Sequence, residues 1–168
     1  MSQLMYQASV AAFDRHLASM QGYLAKGASY AAEKKIDETV LTQMRIYPDM
    51  FPLTRQIMIA CDFAKGASAR LAGVEIPKFE DTETTFAELQ ARAQKTRDFL
   101  ATLKPEQFVG SETKKISITI GGNPVELVGE PYLFNLAIPN FYFHSTTAYN
   151  LLRHAGVPVG KGDFVSRN

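Results

Sequence analysis

The stretch from Pro131 to Gly156 constrains the fold more than any other part of this chain. Apolar side chains fall on almost every face of its helical projection, and a helix that is hydrophobic nearly all round is usually covered by neighbours on most sides. Pro131 suits a first helical turn, and Gly156 suits the left-handed residue that closes a helix. The sequence therefore predicts a central bundle helix over about residues 131–156.

This predicted helix carries a polar patch in its middle. Asn140 and His144 are four residues apart, so they share one helical face. Pro139, just before them, lacks the N–H that would bond to a preceding carbonyl, and we expect a kink there. Both polar side chains are expected to point into the bundle.

Apolar residues spaced three and four apart predict three further long helices. In chain order they are expected over about residues 4–26, closed by Gly27, over about residues 52–71, and from a cap at Asp81 or Thr82 to just before Pro105. With the final helix, these segments make a four-helix bundle.

The apolar period changes from helical to two just before the last helix. Ile116, Ile118 and Ile120 alternate with polar residues and lead into a turn at Gly121-Gly122. This pattern predicts a β-hairpin over about residues 114–128. Because a lone hairpin is marginal in water, we expect its isoleucine face to pack on the bundle or against a second subunit.

The fold class indicated is mainly α, a four-helix bundle with one hairpin inserted before the last helix, in a single domain over residues 1–168. Its 168 residues, 46% of them hydrophobic, can form a core without disulfides, and the single Cys61 cannot form an internal one.

A net charge of +1 argues against nucleic-acid and acidic-membrane partners. No apolar run is long enough for a membrane span, and no signal-like start is present, so we expect a cytoplasmic protein.

The best candidate site combines Asn140 and His144 with Gln56 from the second long helix. Amide and imidazole groups on facing helices can hold one ligand or a metal ion. The alternative is that these side chains have a purely structural role, because buried polar groups are often satisfied by backbone carbonyls or water.

His16 lies beside the first helix's apolar stripe and is interpreted as structural or surface-exposed. The phosphate-loop, paired-cysteine and serine-elbow signatures are absent from the sequence.

Several short motifs resemble one known superfamily. They are Pro48-Asp49-Met50-Phe51-Pro52, Leu71-Ala72-Gly73, Pro139-Asn140-Phe141-Tyr142-Phe143-His144, the helix end from His144 to Val157, and Gly160-Lys161-Gly162-Asp163-Phe164. Together they resemble the DinB/YfiT-like superfamily of metal-dependent four-helix-bundle proteins, in an uncharacterised bacterial branch with the PDMFP motif. The resemblance implies a bundle that is often dimeric, so a homodimer is expected.

The resemblance also implies a metal held by three histidines. Matched by motif, the later histidine of a helical pair falls on His144 and the earlier one on Asn140. The third position falls on Gln56 by its place in the helix. One histidine of the three therefore remains.

That departure weakens the expected metal site, because Zn²⁺ and Ni²⁺ favour imidazole, thiolate and carboxylate ligands over neutral amides. At most a weakly bound Zn²⁺ or Ni²⁺ at His144 is expected. The leading hypothesis is a small-molecule pocket between helices around Gln56, Asn140 and His144. One alternative is a metal-dependent hydrolase or thiol-dependent transferase with His144 as a ligand. A second alternative is a dimeric interaction module joined through the hairpin.

Overall fold

The computed structural model describes residues 2–165, and it is helical apart from one hairpin. Its elements in chain order are α1 (Ser2–Tyr6), α2 (Ala12–Lys34), α3 (Glu38–Thr42), α4 (Leu53–Ala72), α5 (Phe86–Ala101), β1 (Lys115–Ile120), β2 (Asn123–Val128), α6 (Gly129–Tyr132), α7 (Ile138–His154) and α8 (Lys161–Val165). Turns of π-helix at Gln7–Ala11 and Leu133–Ala137 join α1 to α2 and α6 to α7. The predicted mainly helical fold, with a hairpin before the final helices, is confirmed.

The four long helices pack in pairs around one core. Helix α2 packs chiefly on α5, and α4 packs on both α7 and α5. Phe13 of α2 and Phe141 of α7 are fully buried with ring centroids 4.7 Å apart, and each such side chain contributes about 1.5–3 kcal/mol by its burial. Among residues 2–165, no helix is both long and apolar enough to cross a bilayer.

The first long helix runs eight residues further than its sequence suggests. Helix α2 continues through Gly27 to Lys34 and ends at Lys35, which adopts the left-handed conformation with φ 54°. Gly27 is buried inside the helix, where an added Cβ would lie 2.8 Å from the ring of Phe86 on α5. The prediction that Gly27 ends this helix is wrong. This glycine lies within α2, and its lack of a side chain lets α2 and α5 pack closely together.

The start of α5 also differs from the expected cap at Asp81 or Thr82. Thr85 is the N-cap, since its hydroxyl accepts a hydrogen bond from the Glu88 N–H while the Glu88 carboxylate accepts one from the Thr85 N–H. Asp81 instead forms an ion pair with Arg92, 2.9 Å away. The predicted caps are therefore wrong by three or more residues.

The last helix lies close to its predicted range of 131–156. A continuous helical run covers residues 129–154, and Gly156 follows with φ 91°. The π-helical turn Leu133–Ala137 directly precedes Pro139. A π turn changes the backbone hydrogen-bond ladder, so it accommodates the proline within one helical run.

The hairpin agrees with the predicted residues 114–128. Strands β1 and β2 pair antiparallel in a register that sets Ile116 opposite Leu127 and Ile118 opposite Val125. Ile116 is only 3% exposed, Ile118 packs partly on the core, and Ile120 remains 45% exposed. The start of the isoleucine face therefore packs on the bundle of its own chain, whereas its end at Ile120 is exposed to solvent.

Candidate functional site

Gln56 and His144 meet between α4 and α7. The Gln56 Oε1 and the His144 Nδ1 lie 2.6 Å apart, and the two residues are only 1% and 9% exposed. Gln56 lies in the first turn of α4, directly after the Pro-containing corner that starts that helix. The pairing brings together two of the three residues selected from the sequence.

The hydrogen bonds of this pair fix which imidazole nitrogen carries the proton. The Gln56 Nε2 donates to the Phe51 carbonyl at 3.1 Å, and a carbonyl can only accept. The Gln56 Oε1 must therefore face His144 as an acceptor, so the His144 Nδ1 donates its hydrogen. Burial lowers the pKa of His144 below its usual value, which favours the neutral ring with a lone pair on Nε2.

Two aromatic rings hold the His144 imidazole. Phe63 stacks on it with ring centroids 6.2 Å apart at 16°, and Phe143 meets it edge-on at 5.1 Å. The His144 Nε2 has no hydrogen-bond partner within residues 2–165, yet it is not among the fully enclosed polar atoms that lack partners. This nitrogen therefore keeps contact with solvent and is available as a hydrogen-bond acceptor.

Asn140 lies one helical turn before His144 but takes no part in the pair. Its amide nitrogen donates to the carbonyl of Leu136 at 2.8 Å, and the residue is partly buried. In the described chain it bonds neither Gln56 nor His144. Asn140 lines a neighbouring cleft, and its Oδ1, which accepts no hydrogen bond within the described residues, is an available acceptor.

That cleft lies between α4, the final helical run and the hairpin, and we call it the hairpin cleft. Its volume is about 450 Å³. Its lining consists of Asp62, Phe63 and Arg70 from α4, Ile118, Thr119, Ile120 and Gly121 from the hairpin, and Tyr132, Leu136 and Asn140 from the final helical run. Phe63 connects the two parts of the site, because it lines the cleft and stacks on His144.

Arg70 and Tyr132 form the end of the cleft that lies furthest from His144 along the final helical run. The Arg70 Nη1 donates to the Tyr132 hydroxyl at 3.2 Å. Burial raises the pKa of Tyr132, which is 2% exposed, so the phenol is neutral at ordinary pH. The guanidinium charge of Arg70 is therefore not compensated by this partner.

Asp62, at the other end of the cleft lining, is already paired. Its Oδ1 lies 2.9 Å from the Arg92 Nη2 and 2.8 Å from the Lys65 Nζ. Arg92 also contacts Asp81 and Glu83, so the ions on this side form one cluster, the Arg92 cluster. Asp62 thus adds little uncompensated negative charge to the cleft.

The residues at the expected metal positions do not fit the three-histidine site that the resemblance implies. The Gln56 Oε1 accepts the His144 Nδ1 hydrogen, and the Asn140 amide bonds its own helix. Within residues 2–165, no three His, Cys, Asp or Glu side chains are grouped so that they could hold a metal ion. Neutral amides are weak ligands for Zn²⁺ and Ni²⁺, so no reaction step is assigned to a metal.

Sequence reasoning missed Arg70, Tyr132 and Asp62. The available signal was the presence of three charged residues, Asp62, Lys65 and Arg70, on a helix with many small and apolar residues. The partners of Asp62 and Arg70 lie on α5 and α6, tens of residues away. The distance along the chain hid these contacts.

His16 is buried and surrounded by aromatic rings. Of the two interpretations from the sequence, structural or surface-exposed, its burial agrees with the structural one. Phe141, Tyr142 and Phe164 meet its ring edge-on at 5.4, 5.1 and 4.4 Å. Burial lowers the pKa of His16 to about 4, and its Nε2 has no partner within the described chain. It stands apart from the Gln56–His144 pair.

Comparison with known proteins places the chain among related bundles. Residues 5–165 match DUF1993, a domain of unknown function. The crystal structure of a DinB family member from Shewanella denitrificans is similar at 38% identity, with 99% of this chain and 94% of that chain covered and a TM-score of 0.91. A search of curated proteins finds no match.

Proposed function

This chain belongs to the DUF1993 family and to the DinB-like superfamily, and from that premise we propose that it binds a small organic molecule in the hairpin cleft. The observation that carries the proposal is a cleft of about 450 Å³ whose lining joins apolar surface to polar groups with unused bonding capacity. Ligand sites in proteins commonly have volumes of about 300–1,000 Å³ and this mixed lining.

The lining offers three kinds of contact to a ligand. Phe63, Leu136 and Ile118 supply apolar surface, Arg70 supplies a cation, and the Asn140 Oδ1 supplies an acceptor. A molecule held at several such points is oriented as well as bound. This arrangement supports recognition of a ligand with an apolar body and polar groups at its ends.

His144 has a supporting part in this proposal. Its ring packs on Phe63 at the edge of the cleft, and its lone pair on Nε2 is available to accept a hydrogen bond. The Gln56 amide keeps that tautomer in place. His144 lies outside the cleft lining, so only a ligand that extends beyond Phe63 and Asn140 would reach this second acceptor.

Fragment screening by NMR tests the proposal. We expect hits whose amide shift changes cluster at Phe63, Ile118 and Asn140. Ile118→Trp should fill the cleft and abolish these hits. Its control is Val128→Trp, which is 46% exposed on the opposite face of the hairpin, lies outside the cleft lining in the described chain and should leave the hits intact. Fragments that bind elsewhere, or none that bind, would contradict the proposal.

A further inference from the structure

Arg70 carries an uncompensated positive charge in the hairpin cleft. Within residues 2–165 its guanidinium forms no salt bridge, and its side chain makes a single hydrogen bond, to the Tyr132 hydroxyl at 3.2 Å. A guanidinium has five N–H donors in a planar fork that matches a carboxylate. Most of its donor capacity is therefore left for water or a ligand.

Gly66 gives this guanidinium its place. A Cβ at Gly66 would lie 2.7 Å from the Arg70 Nη1. Because glycine has no side chain, the Arg70 side chain can lie back along α4, one turn from its own Cα, while still lining the cleft. The guanidinium of this half-buried residue thus lies beside the α4 backbone at Gly66, and Arg70 lines the cleft.

The other charge in the cleft lining does not cancel that of Arg70. The Asp62 carboxylate is paired with Arg92 and Lys65 at 2.9 and 2.8 Å. The Arg70 guanidinium, which lies beside Gly66, is about one helical turn, or about 6 Å along the axis, from the position of Asp62 on α4. The Arg70 end of the cleft therefore favours an anion.

Apolar surface continues from Arg70 along the cleft. Leu136 lies one turn after Tyr132 on the final helical run, and Ile118 of the hairpin and Phe63 of α4 also line the cleft. The distance from Tyr132 to Asn140 is eight residues, or about 12 Å of helix. A ligand that fills this length has an extended apolar body next to its anionic group.

We propose that the hairpin cleft takes a carboxylic acid with an extended apolar body, with its carboxylate on Arg70 and its body along Phe63, Leu136 and Ile118. This inference rests on the proposed function, since it assigns a ligand class to the same cleft. The carboxylate accepts a forked pair of hydrogen bonds from the guanidinium, and the body displaces water from the apolar wall.

Octanoate and octan-1-ol are the probes, because they share the chain length and differ in the charged group. Calorimetry should show octanoate binding at least about tenfold more tightly than octan-1-ol, the usual size of a charge-assisted hydrogen-bond effect. Arg70→Gln should remove that preference, whereas Arg70→Lys, which retains the charge, should keep part of it. Lys115→Gln removes the same charge from an exposed hairpin position paired with Glu126, and should leave the preference unchanged.

The outcomes separate this inference from the proposed function. If octanoate and octan-1-ol bind equally well and both are blocked by Ile118→Trp, the cleft is a ligand site but the carboxylate class is wrong. If octanoate is preferred equally by the wild type and by Arg70→Gln, the anion is held elsewhere and the role of Arg70 is overturned. If fragments of every charge type leave the cleft residues unperturbed, the proposed function itself fails.

Discussion

Arg92 and Arg70 are two arginines on neighbouring long helices with opposite surroundings. The Arg92 side chain is 1% exposed and contacts Asp62, Asp81 and Glu83 at 2.9–3.0 Å. Among residues 2–165, the Arg70 side chain bonds only the neutral Tyr132 hydroxyl. A guanidinium whose donors are taken up by carboxylates has little capacity left for a ligand, whereas one with few protein partners remains available to bind an anion.

The Arg92 cluster is also where the largest loss of stability is expected. Arg92→Met leaves three carboxylates without their shared cation. Breaking a fully buried pair costs about 3–5 kcal/mol of unfolding free energy, and because Asp62 and Asp81 are partly exposed and keep Lys65 and Arg55, we expect the lower end, about 3 kcal/mol. Urea unfolding measures this change. Arg92→Lys keeps the positive charge but loses the planar set of guanidinium donors, so its unfolding free energy should lie between those of the wild type and Arg92→Met. If Arg92→Met changed the unfolding free energy by less than about 1 kcal/mol, Arg92 and Arg70 would no longer differ in their contribution to stability.

His16 represents a third case, a buried polar side chain whose Nε2 has no hydrogen-bond partner among residues 2–165. Its pKa in the folded chain is lowered from 6.5 to about 4, so the unfolded chain takes up a proton first as the pH falls. Its contribution is therefore complete above pH 6.5 and is lost between pH 6.5 and about 4, by up to about 3 kcal/mol. Unfolding measured across this range should become less pH-dependent in His16→Phe, which retains aromatic packing. An unchanged slope would contradict the burial effect.

Substitutions in the Gln56–His144 pair should lower the unfolding free energy by a smaller amount. Gln56→Leu leaves the His144 Nδ1 hydrogen and the Phe51 carbonyl without their partner, which costs about 1–3 kcal/mol. Nitrogen NMR should also show that His144 no longer keeps its proton on Nδ1 alone. Gln56→Glu is the matched control, because its carboxylate still accepts the Nδ1 hydrogen and should raise the pKa of His144. The same tautomer in Gln56→Leu would show that Gln56 does not set it.

Arg70 is expected to have the smallest effect on stability. Arg70→Gln removes a partly buried charge whose protein partner is one neutral hydroxyl, so the unfolding free energy should change by about 1 kcal/mol or less. Urea unfolding beside Arg92→Met makes the comparison direct. A loss of several kcal/mol would mean that Arg70 is a structural residue after all.

Local signals in the sequence predicted most of the fold. Isoleucines alternating before Gly121-Gly122 indicated the hairpin, and Gly156 marked the end of the last helix within two residues. Such patterns work because they depend on neighbours in the chain. Gly27 was misread for the same reason, since its role depends on Phe86, which is far away in sequence.

The site was only partly accessible to sequence reasoning. Gln56 and His144 were placed in one candidate site from their positions on predicted facing helices and from the family resemblance, and the structure brings the Gln56 Oε1 and the His144 Nδ1 to 2.6 Å. Asn140 was expected beside them, but its amide bonds Leu136 instead. The part played by Arg70 depends on contacts with α6 and the hairpin that no local pattern encodes. Long-range packing therefore decides which polar groups remain available.

A crystal structure of the protein with octanoate is the decisive test of the carboxylate site proposed at Arg70. The expected result is carboxylate density within about 3 Å of the Arg70 guanidinium nitrogens, with the alkyl chain on Phe63 and Leu136. The contradictory result is an Arg70 guanidinium fully paired with protein groups and octanoate bound outside the hairpin cleft.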